Sequence, residues 1–175
     1  MNALVVYESM FGNTAAVGEA VATALREHGV DVTAGSTTRL SSGDAAGVDL
    51  VVVGGPTHVH GMSRASSRNQ AAGDPGNTYD APTVEPGLRE WIEALPAGDG
   101  RLAAAFDTRI DKPVVLTGSA AKGIARRLQR RGYRLLVAPE CFLVTTKNRL
   151  LDGEIDHATA WGGRLSEAAS ATTAR

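Results

Sequence analysis

The sequence has little of several features that would define a function class at once. Its 175 residues contain one cysteine, Cys141, so that no disulfide can form within the chain and a cysteine cage for zinc is excluded. We expect Cys141 to be a small core residue beside a strand. Aromatic residues make up only 5% of the chain, and its 18 Lys and Arg against 19 Asp and Glu leave a net charge of −1. Such a balance gives no strong field toward nucleic acid or an anionic membrane.

Long apolar runs are also missing. None approaches the roughly 20 residues that a membrane-spanning helix needs, and residues 1–7 are too short and lack the basic start of a signal peptide. We therefore expect a cytoplasmic protein without a membrane span. The hydrophobic content of 43% and the length of 175 residues predict one domain over residues 1–175.

The apolar residues that are present form short, β-branched, unalternating runs, which are typical of strands buried on both faces of a parallel sheet. Such strands are predicted at 3–7, 30–34, 49–54 and 101–107, and a last strand at 133–137 and 141–144 is broken around Pro139. Helical spacing of apolar residues connects them, at 16–25, 88–95, 119–132 and after Gly153. This order predicts an α/β fold with five parallel strands and helices on both faces.

Ligands of open parallel sheets bind beyond the carboxyl ends of the strands, and the loop after the first strand is the first candidate. It consists of Ser9, Met10, Phe11, Gly12, Asn13 and Thr14. Its hydroxyl and amide groups, its glycine and the free N–H groups at the helix start can hold a phosphate without Lys or Arg. The alternative is a plain helix cap by Asn13 or Thr14 with no ligand.

Two further loops lie at the same edge of the predicted sheet. The second consists of Pro56, Thr57, His58, Val59, His60, Gly61 and Met62, and the third of Phe106, Asp107, Thr108 and Arg109. The second offers a polarizable surface for a flat ring, and no carboxylate or cysteine lies near its two histidines at ligand spacing, so we predict no metal site. The third can hydrogen-bond a ring edge or close a surface salt bridge.

Other nucleotide and hydrolase motifs are absent from the sequence. There is no Gly-Lys-Ser/Thr of a P-loop, no Gly-x-Gly-x-x-Gly after a strand, and no serine in a nucleophile elbow. We predict no catalytic side chain.

Five sequence blocks in order, taken together, resemble the flavodoxin family, in particular the flavodoxin-domain proteins of actinobacteria. The blocks are 5–14, 54–64 apart from 59 and 60, 105–109, 118–123, and 151–154 with 160–162. The resemblance implies a three-layer fold with strand order 2-1-3-4-5 and a flavin mononucleotide (FMN) cofactor. It implies that residues 9–14 hold the phosphate and that the isoalloxazine ring lies between loops 56–62 and 106–109. Gly61 is then the flexible residue that lets a backbone carbonyl turn toward the flavin.

The sequence departs from this family in two ways. Many flavodoxins place the flavin between a Trp and a Tyr, but the three loops contain neither, which leaves His58, His60, Met62 and Phe106 as the expected flanks. Electron-shuttle flavodoxins are also strongly acidic, whereas this chain has a basic helix with Lys122, Arg126, Arg127, Arg130 and Arg131. That helix presents either a solvated face or a site for an acidic protein or a lipid head group.

Three functions follow, and the long irregular loop at 63–87 bears on the second of them. The first is electron transfer through bound FMN, between a redox partner protein and another protein or a small-molecule donor or acceptor. The second is an FMN-dependent oxidoreductase acting on a quinone or a protoporphyrinogen-like substrate, which would enter beside the ring under the 63–87 loop. That loop is either a lid or partner surface, or plain surface disorder. The third is an interaction module with weak or no flavin binding. We expect no nucleic-acid partner, and the sequence leaves the oligomeric state open.

Overall fold

Strands and helices alternate along the chain, as the computed structural model shows for residues 1–58, 61–63 and 87–173. The strands in this part are β1 (Asn2–Tyr7), β2 (Asp31–Ser36), β3 (Leu50–His58), β4 (Gly61–Met62), β5 (Leu102–Ile110), β6 (Arg134–Leu135) and β7 (Glu140–Val144). The helices are α1 (Asn13–Glu27), α2 (Leu88–Glu93), α3 (Val114–Thr117), α4 (Ala120–Arg130) and α5 (Glu154–Thr173), with a 3₁₀ turn at Ser42–Ala45. Most of the loop predicted at 63–87 lies outside the described residues.

The sheet is parallel apart from one short strand, and its order is β2-β1-β3-β5-β6. This confirms the predicted order 2-1-3-4-5. The fifth position is shared by the two predicted pieces of the last strand, because β6 pairs with the start of β5 and β7 pairs with its carboxyl half. The described part has seven strands rather than five. The difference comes from this division and from β4, which pairs antiparallel with the end of β3 through Thr57 and Met62.

The side chains of the buried strands alternate between two cores, one on each face of the sheet. Ala3, Val5 and Tyr7 pack with α1 and α5, where Trp161 is 1% exposed. Leu4 and Val6 pack with α2 and α4 on the other face. This explains why the strands contain apolar residues without alternation, since both faces are covered.

The first helix ends two residues beyond the apolar spacing predicted at 16–25. Its last helical residue is Glu27, and Gly29 follows with a φ of 77°, a left-handed conformation that glycine adopts without strain. Of the helices in the described residues, none is both long and apolar enough to cross a membrane.

Candidate functional site

A cleft opens at the carboxyl ends of β1, β3, β5 and β7, the edge where the sequence places its candidate loops. Ten predicted residues line it, namely Ser9, Met10, Phe11, Asn13, Thr14, Pro56, Thr57, His58, Thr108 and Arg109. The other lining residues are Ile110, Val144 and Asn148. The structure therefore brings parts of all three loops together, while Val59 and His60 lie outside the described residues.

Helix α1 begins at the cleft with its N-terminus open. Gly12 is its N-cap residue, with a φ of 81°, and no side chain accepts a hydrogen bond from the first turn. The amide of Asn13 instead donates to the carbonyl of Asn148, with an N–O distance of 2.9 Å. The plain cap by Asn13 or Thr14 is thus not formed. The first N–H groups and the positive end of the helix dipole remain available to an anion.

Two buried hydroxyl groups stand beside this helix start. The Oγ of Ser9 is buried and has no hydrogen-bond partner among the described residues. The hydroxyls of Thr14 and Thr108 are bonded to each other at 2.8 Å and are 2% and 5% exposed as residues. Only one hydrogen is used in that bond, so the pair keeps one O–H that can donate elsewhere.

The charges around the cleft favour an anion. None of its described lining residues is a carboxylate, whereas Arg109 contributes a guanidinium. One terminal nitrogen of Arg109 donates to the carbonyl of Lys112 at 2.6 Å. Its Nε is buried without a partner in the part of the chain that the structure describes. A guanidinium and no carboxylate in the described lining suit an anion better than a cation.

His58 supplies a neutral ring at the cleft. Burial lowers the pKa of its imidazole, and the nearby charge of Glu8 opposes this shift. The Nε2 of His58 is buried and no described residue bonds to it. The ring thus has one nitrogen left for a bound molecule.

Asp107 belongs to the architecture beneath the cleft and does not line it. Its carboxylate is fully buried, and Oδ2 accepts hydrogen bonds from the Thr57 hydroxyl at 3.0 Å and the Ser119 hydroxyl at 2.8 Å. The backbone N–H of Ala121 donates to the same oxygen at 2.8 Å. These bonds tie the start of α4 to β3 and β5. Because Asp107 is buried, the expectation of a surface salt bridge at this residue is wrong, while its contact with a ring edge stays a prediction.

Phe106 is also placed elsewhere than the sequence suggested. Its side chain is fully buried and makes edge contacts with Phe142 and Trp161, each at 5.9 Å between ring centroids. The reason lies across the strands, where Gly54 is its register partner. A Cβ on Gly54 would come within 2.0 Å of the Phe106 ring, so the missing side chain makes room for it. Phe106 is therefore not available to flank a planar ligand in the cleft.

The two remaining predicted residues of the second loop form β4. Met62 is 5% exposed and packs with the core on the α4 face, near Gly123. Gly61 pairs with His58, and apart from its chain neighbours no atom of the described residues lies within 4 Å of the place where its Cβ would stand. Met62 is thus a core residue and not a ring flank, and the flexible role of Gly61 stays a prediction.

Glu8 is a polar residue of this region that the sequence analysis did not select. It is fully buried, and its carboxylate accepts from the backbone N–H of Leu88 at 2.7 Å and from the hydroxyl of Ser63. These bonds join the end of β1 to the start of α2 and to the residue after β4. The available signal was a charged residue directly after a fully apolar strand.

Cys141 lies partly buried under the same edge. Its sulfur is 3.8 Å from the hydroxyl of Ser119. Burial raises the pKa of its thiol, and the charge of Asp107 adds to the shift. A protonated thiol of this kind is a weak nucleophile. Cys141 lies within β7 and is only partly buried, so it is not the core residue that the sequence predicted. No cluster of three or more potential metal-ligating side chains occurs within the described residues.

Comparison with known proteins identifies the fold. No protein-family model matches the chain, and no curated protein matches it in sequence. A flavodoxin from the domain Archaea matches 97% of this chain and 99% of its own, with a TM-score of 0.67 and 19% identity. Flavodoxin 1 from Bacillus cereus matches 95% and 98%, with a TM-score of 0.70 and 15% identity.

A longer protein contains a similar region. The rubredoxin oxygen:oxidoreductase of Desulfovibrio gigas matches 99% of this chain over 37% of its own, with a TM-score of 0.66 and 16% identity. At these identities the likeness shows the fold, and the chain has the flavodoxin-like fold that its sequence predicted. The narrower resemblance to actinobacterial proteins stays a prediction.

Proposed function

We propose that this chain is an FMN-binding redox protein that transfers electrons through the bound flavin. The observation that carries the proposal is the open N-terminus of α1 beside the unpartnered Oγ of Ser9, in a cleft whose described lining has no carboxylate. A buried hydroxyl without a partner costs stability unless a ligand completes it. A phosphate ester is the ligand whose oxygens suit these donors.

The polar groups of the cleft fall into two sets, one for the phosphate of FMN and one for its ring. The backbone N–H groups at the start of α1, the Ser9 hydroxyl and the hydroxyl of the Thr14–Thr108 pair would hold the phosphate. His58 and Arg109 would lie near the ring. Met10 and Phe11 stand in the phosphate loop without hydroxyl groups, so the backbone must supply a large share of the hydrogen bonds.

The flavin, when bound, supplies the ability to accept and release electrons. The contribution of the chain is to bind and orient it. A neutral His58, with one buried nitrogen unpartnered in the described structure, can accept from or donate to a polar edge of the ring, depending on its tautomer. Phe11 is the one Phe, Tyr or Trp residue in the described lining of the cleft, and it is not among the residues predicted to flank the ring.

The experiment compares FMN with riboflavin, which carries the same ring and ribityl chain but no phosphate. Each is titrated into the purified protein, and quenching of flavin fluorescence gives the dissociation constant. We expect FMN to bind at least about 100-fold more tightly, because several charge-assisted hydrogen bonds are each worth about 1.5–3 kcal/mol. Equal affinity for the two flavins, or no binding of either, would refute the proposal.

Electron transfer is tested on the FMN-loaded protein after photoreduction. A carrier is expected to reduce a one-electron acceptor such as ferricyanide stoichiometrically and to show little turnover with a quinone. Sustained turnover with a quinone that exceeds the free-FMN rate would instead favour the oxidoreductase function predicted as the alternative.

A further inference from the structure

The positive charges of this chain are concentrated in one segment. Residues 113–139 contain six of its 18 Lys and Arg residues and none of its 19 Asp and Glu residues. The six are Lys122, Arg126, Arg127, Arg130, Arg131 and Arg134. Since the whole chain has a net charge of −1, the rest of it is acidic.

Helix α4 arranges these charges as a row on its outer side. Its inner side is fully buried through Ile124 and Leu128. Lys122, Arg126 and Arg130 are exposed and four residues apart, so that they follow one face of the helix over about 12 Å.

The row carries an electrostatic cost that the described residues do not relieve. No carboxylate in the described ranges lies within ion-pair distance of any of these three cations. Burial is the main factor that lowers the pKa of the neighbouring Arg127, and the charge of Arg89 adds to it. The charges of Arg130 and Arg126 also lower the pKa of Arg127, while Glu93 opposes them. Like charges crowded on one helix are unfavourable until an anion approaches them.

A shallow apolar hollow lies next to the row. Its floor includes Ala125, Leu135 and Pro139, and its rim includes Lys122, Arg126 and Gln129. Apolar side chains are also exposed one turn before α4, where Val115 is 84% and Leu116 is 63% exposed. An apolar centre with a charged rim is the usual composition of a protein–protein interface.

We propose that this surface, formed by the row Lys122, Arg126 and Arg130 with the adjoining hollow, docks an acidic segment of another protein. A segment with carboxylates and apolar side chains satisfies both the row and the hollow. A nucleic acid or a bilayer presents a wide anionic surface, and contact beyond the row is disfavoured because the chain outside residues 113–139 is acidic. Among the described residues, the lining of the hollow has no aromatic side chain for a base to stack on. The proposal is independent of flavin binding.

The test uses a fluorescein-labelled peptide of 16 residues in which Glu alternates with Leu and Ala, and measures its binding to the full chain by fluorescence anisotropy. The double variant Lys122→Glu/Arg126→Glu reverses two charges at the hollow. The control Arg39→Glu/Lys147→Glu reverses two exposed charges on other elements, so that the net charge changes equally. All four positions are exposed, and circular dichroism with thermal unfolding verifies that both variants fold.

We expect saturable binding of the peptide that weakens as salt increases. Its affinity should fall at least tenfold in Lys122→Glu/Arg126→Glu and change less than twofold in the control. Equal loss in both variants would overturn the proposal, because it would mean that only net charge matters. No binding of the natural chain near 0.15 M salt would overturn it as well. Tighter binding of duplex DNA or of phosphatidylserine vesicles through the same residues would overturn the assignment to an acidic protein.

Discussion

Replacing Ser9 with alanine should have opposite effects on the free protein and on its complex with FMN. The Oγ of Ser9 is buried in the cleft and lacks a partner among the described residues. Removing it therefore takes away an unsatisfied polar group and breaks no hydrogen bond within the described part of the chain. In the complex, the same change removes a donor to the phosphate.

The size of each effect follows from the hydrogen-bond count. An unsatisfied buried hydroxyl costs about 1–3 kcal/mol, so the free energy of unfolding of the apoprotein should stay unchanged or rise by about 1 kcal/mol. For a chain of this length that corresponds to a rise in Tm of about 2–4 °C. One charge-assisted hydrogen bond to phosphate is worth about 1.5–3 kcal/mol, so the Kd for FMN should increase about 10- to 150-fold.

Thr37→Val is the matched control. The hydroxyl of Thr37 is likewise buried and has no partner among the described residues, but Thr37 does not line the cleft. This change should also preserve or raise the stability of the apoprotein and should leave the Kd for FMN within twofold. If Ser9→Ala lowers the Tm, the Oγ of Ser9 is engaged within the apoprotein. If it leaves the FMN affinity unchanged, the phosphate is not held by the 9–14 loop.

Three further predictions concern the surroundings of the cleft. Gly54→Ala should destabilise the fold by about 2–3 kcal/mol, because the new Cβ would meet the Phe106 ring, while Gly163→Ala in α5 should be neutral or stabilising in the same denaturant titration. Asp107→Ala should lower the free energy of unfolding by about 2–4 kcal/mol, since three donors lose their acceptor. Asp107→Asn should lower it clearly less, because its amide oxygen can replace Oδ2. His58→Gln should reduce the loss of stability between pH 7.5 and pH 5.5. The pKa of His58 is lowered in the folded chain, so the unfolded chain takes up a proton first as the pH falls below about 6.5. Equal pH profiles of stability for the variant and the unchanged protein would contradict this.

The sheet could be predicted from the sequence because burial on both faces leaves a pattern in each strand separately. Val51, Val52 and Val53 are all fully buried, alternately on the two sides, and only a doubly covered strand accepts such a run. The interruption at Pro139 was visible for a similar reason, since proline removes a donor from the ladder. Helix α3 left no such signal, because three of its four residues are exposed apolar side chains without helical spacing.

The third loop shows why the candidate site was only partly predictable. The sequence placed the end of the fourth strand at residue 107, and the residues around it were interpreted as one exposed tip. The strand continues to Ile110, so successive side chains point to opposite faces of the sheet. Asp107 bonds to the start of α4 on one face, whereas Thr108 bonds to Thr14 of α1 on the other. Because the predicted strand was three residues too short, the different roles of Asp107 and Thr108 were interpreted as one.

The lining residues of the last loop were missed because their position depends on pairing between distant segments. Val144 and Asn148 reach the cleft since β7 pairs with the carboxyl half of β5, and the carbonyl of Asn148 then receives the Asn13 amide across 135 positions of sequence. A single sequence contains no local signal for such a bond. The rule that ligands bind at the carboxyl ends of parallel strands would have included this loop, since the second piece of the last strand was predicted to end at residue 144.

Residue type alone does not distinguish the polar groups that support the fold from those that await a ligand, and their hydrogen bonds do so only together with their position, since Oδ1 of Asp107 also lacks a partner among the described residues. Asp107 has the chemistry of a functional carboxylate, yet three donors converge on its Oδ2 and tie it to the architecture. Ser9 is the more ordinary residue by type, yet its hydroxyl is buried at the open start of α1 without a described partner. Thr37 shows that a buried hydroxyl without a described partner also occurs away from the cleft, so it is the position of Ser9 at the open start of α1 that favours the binding of an anion.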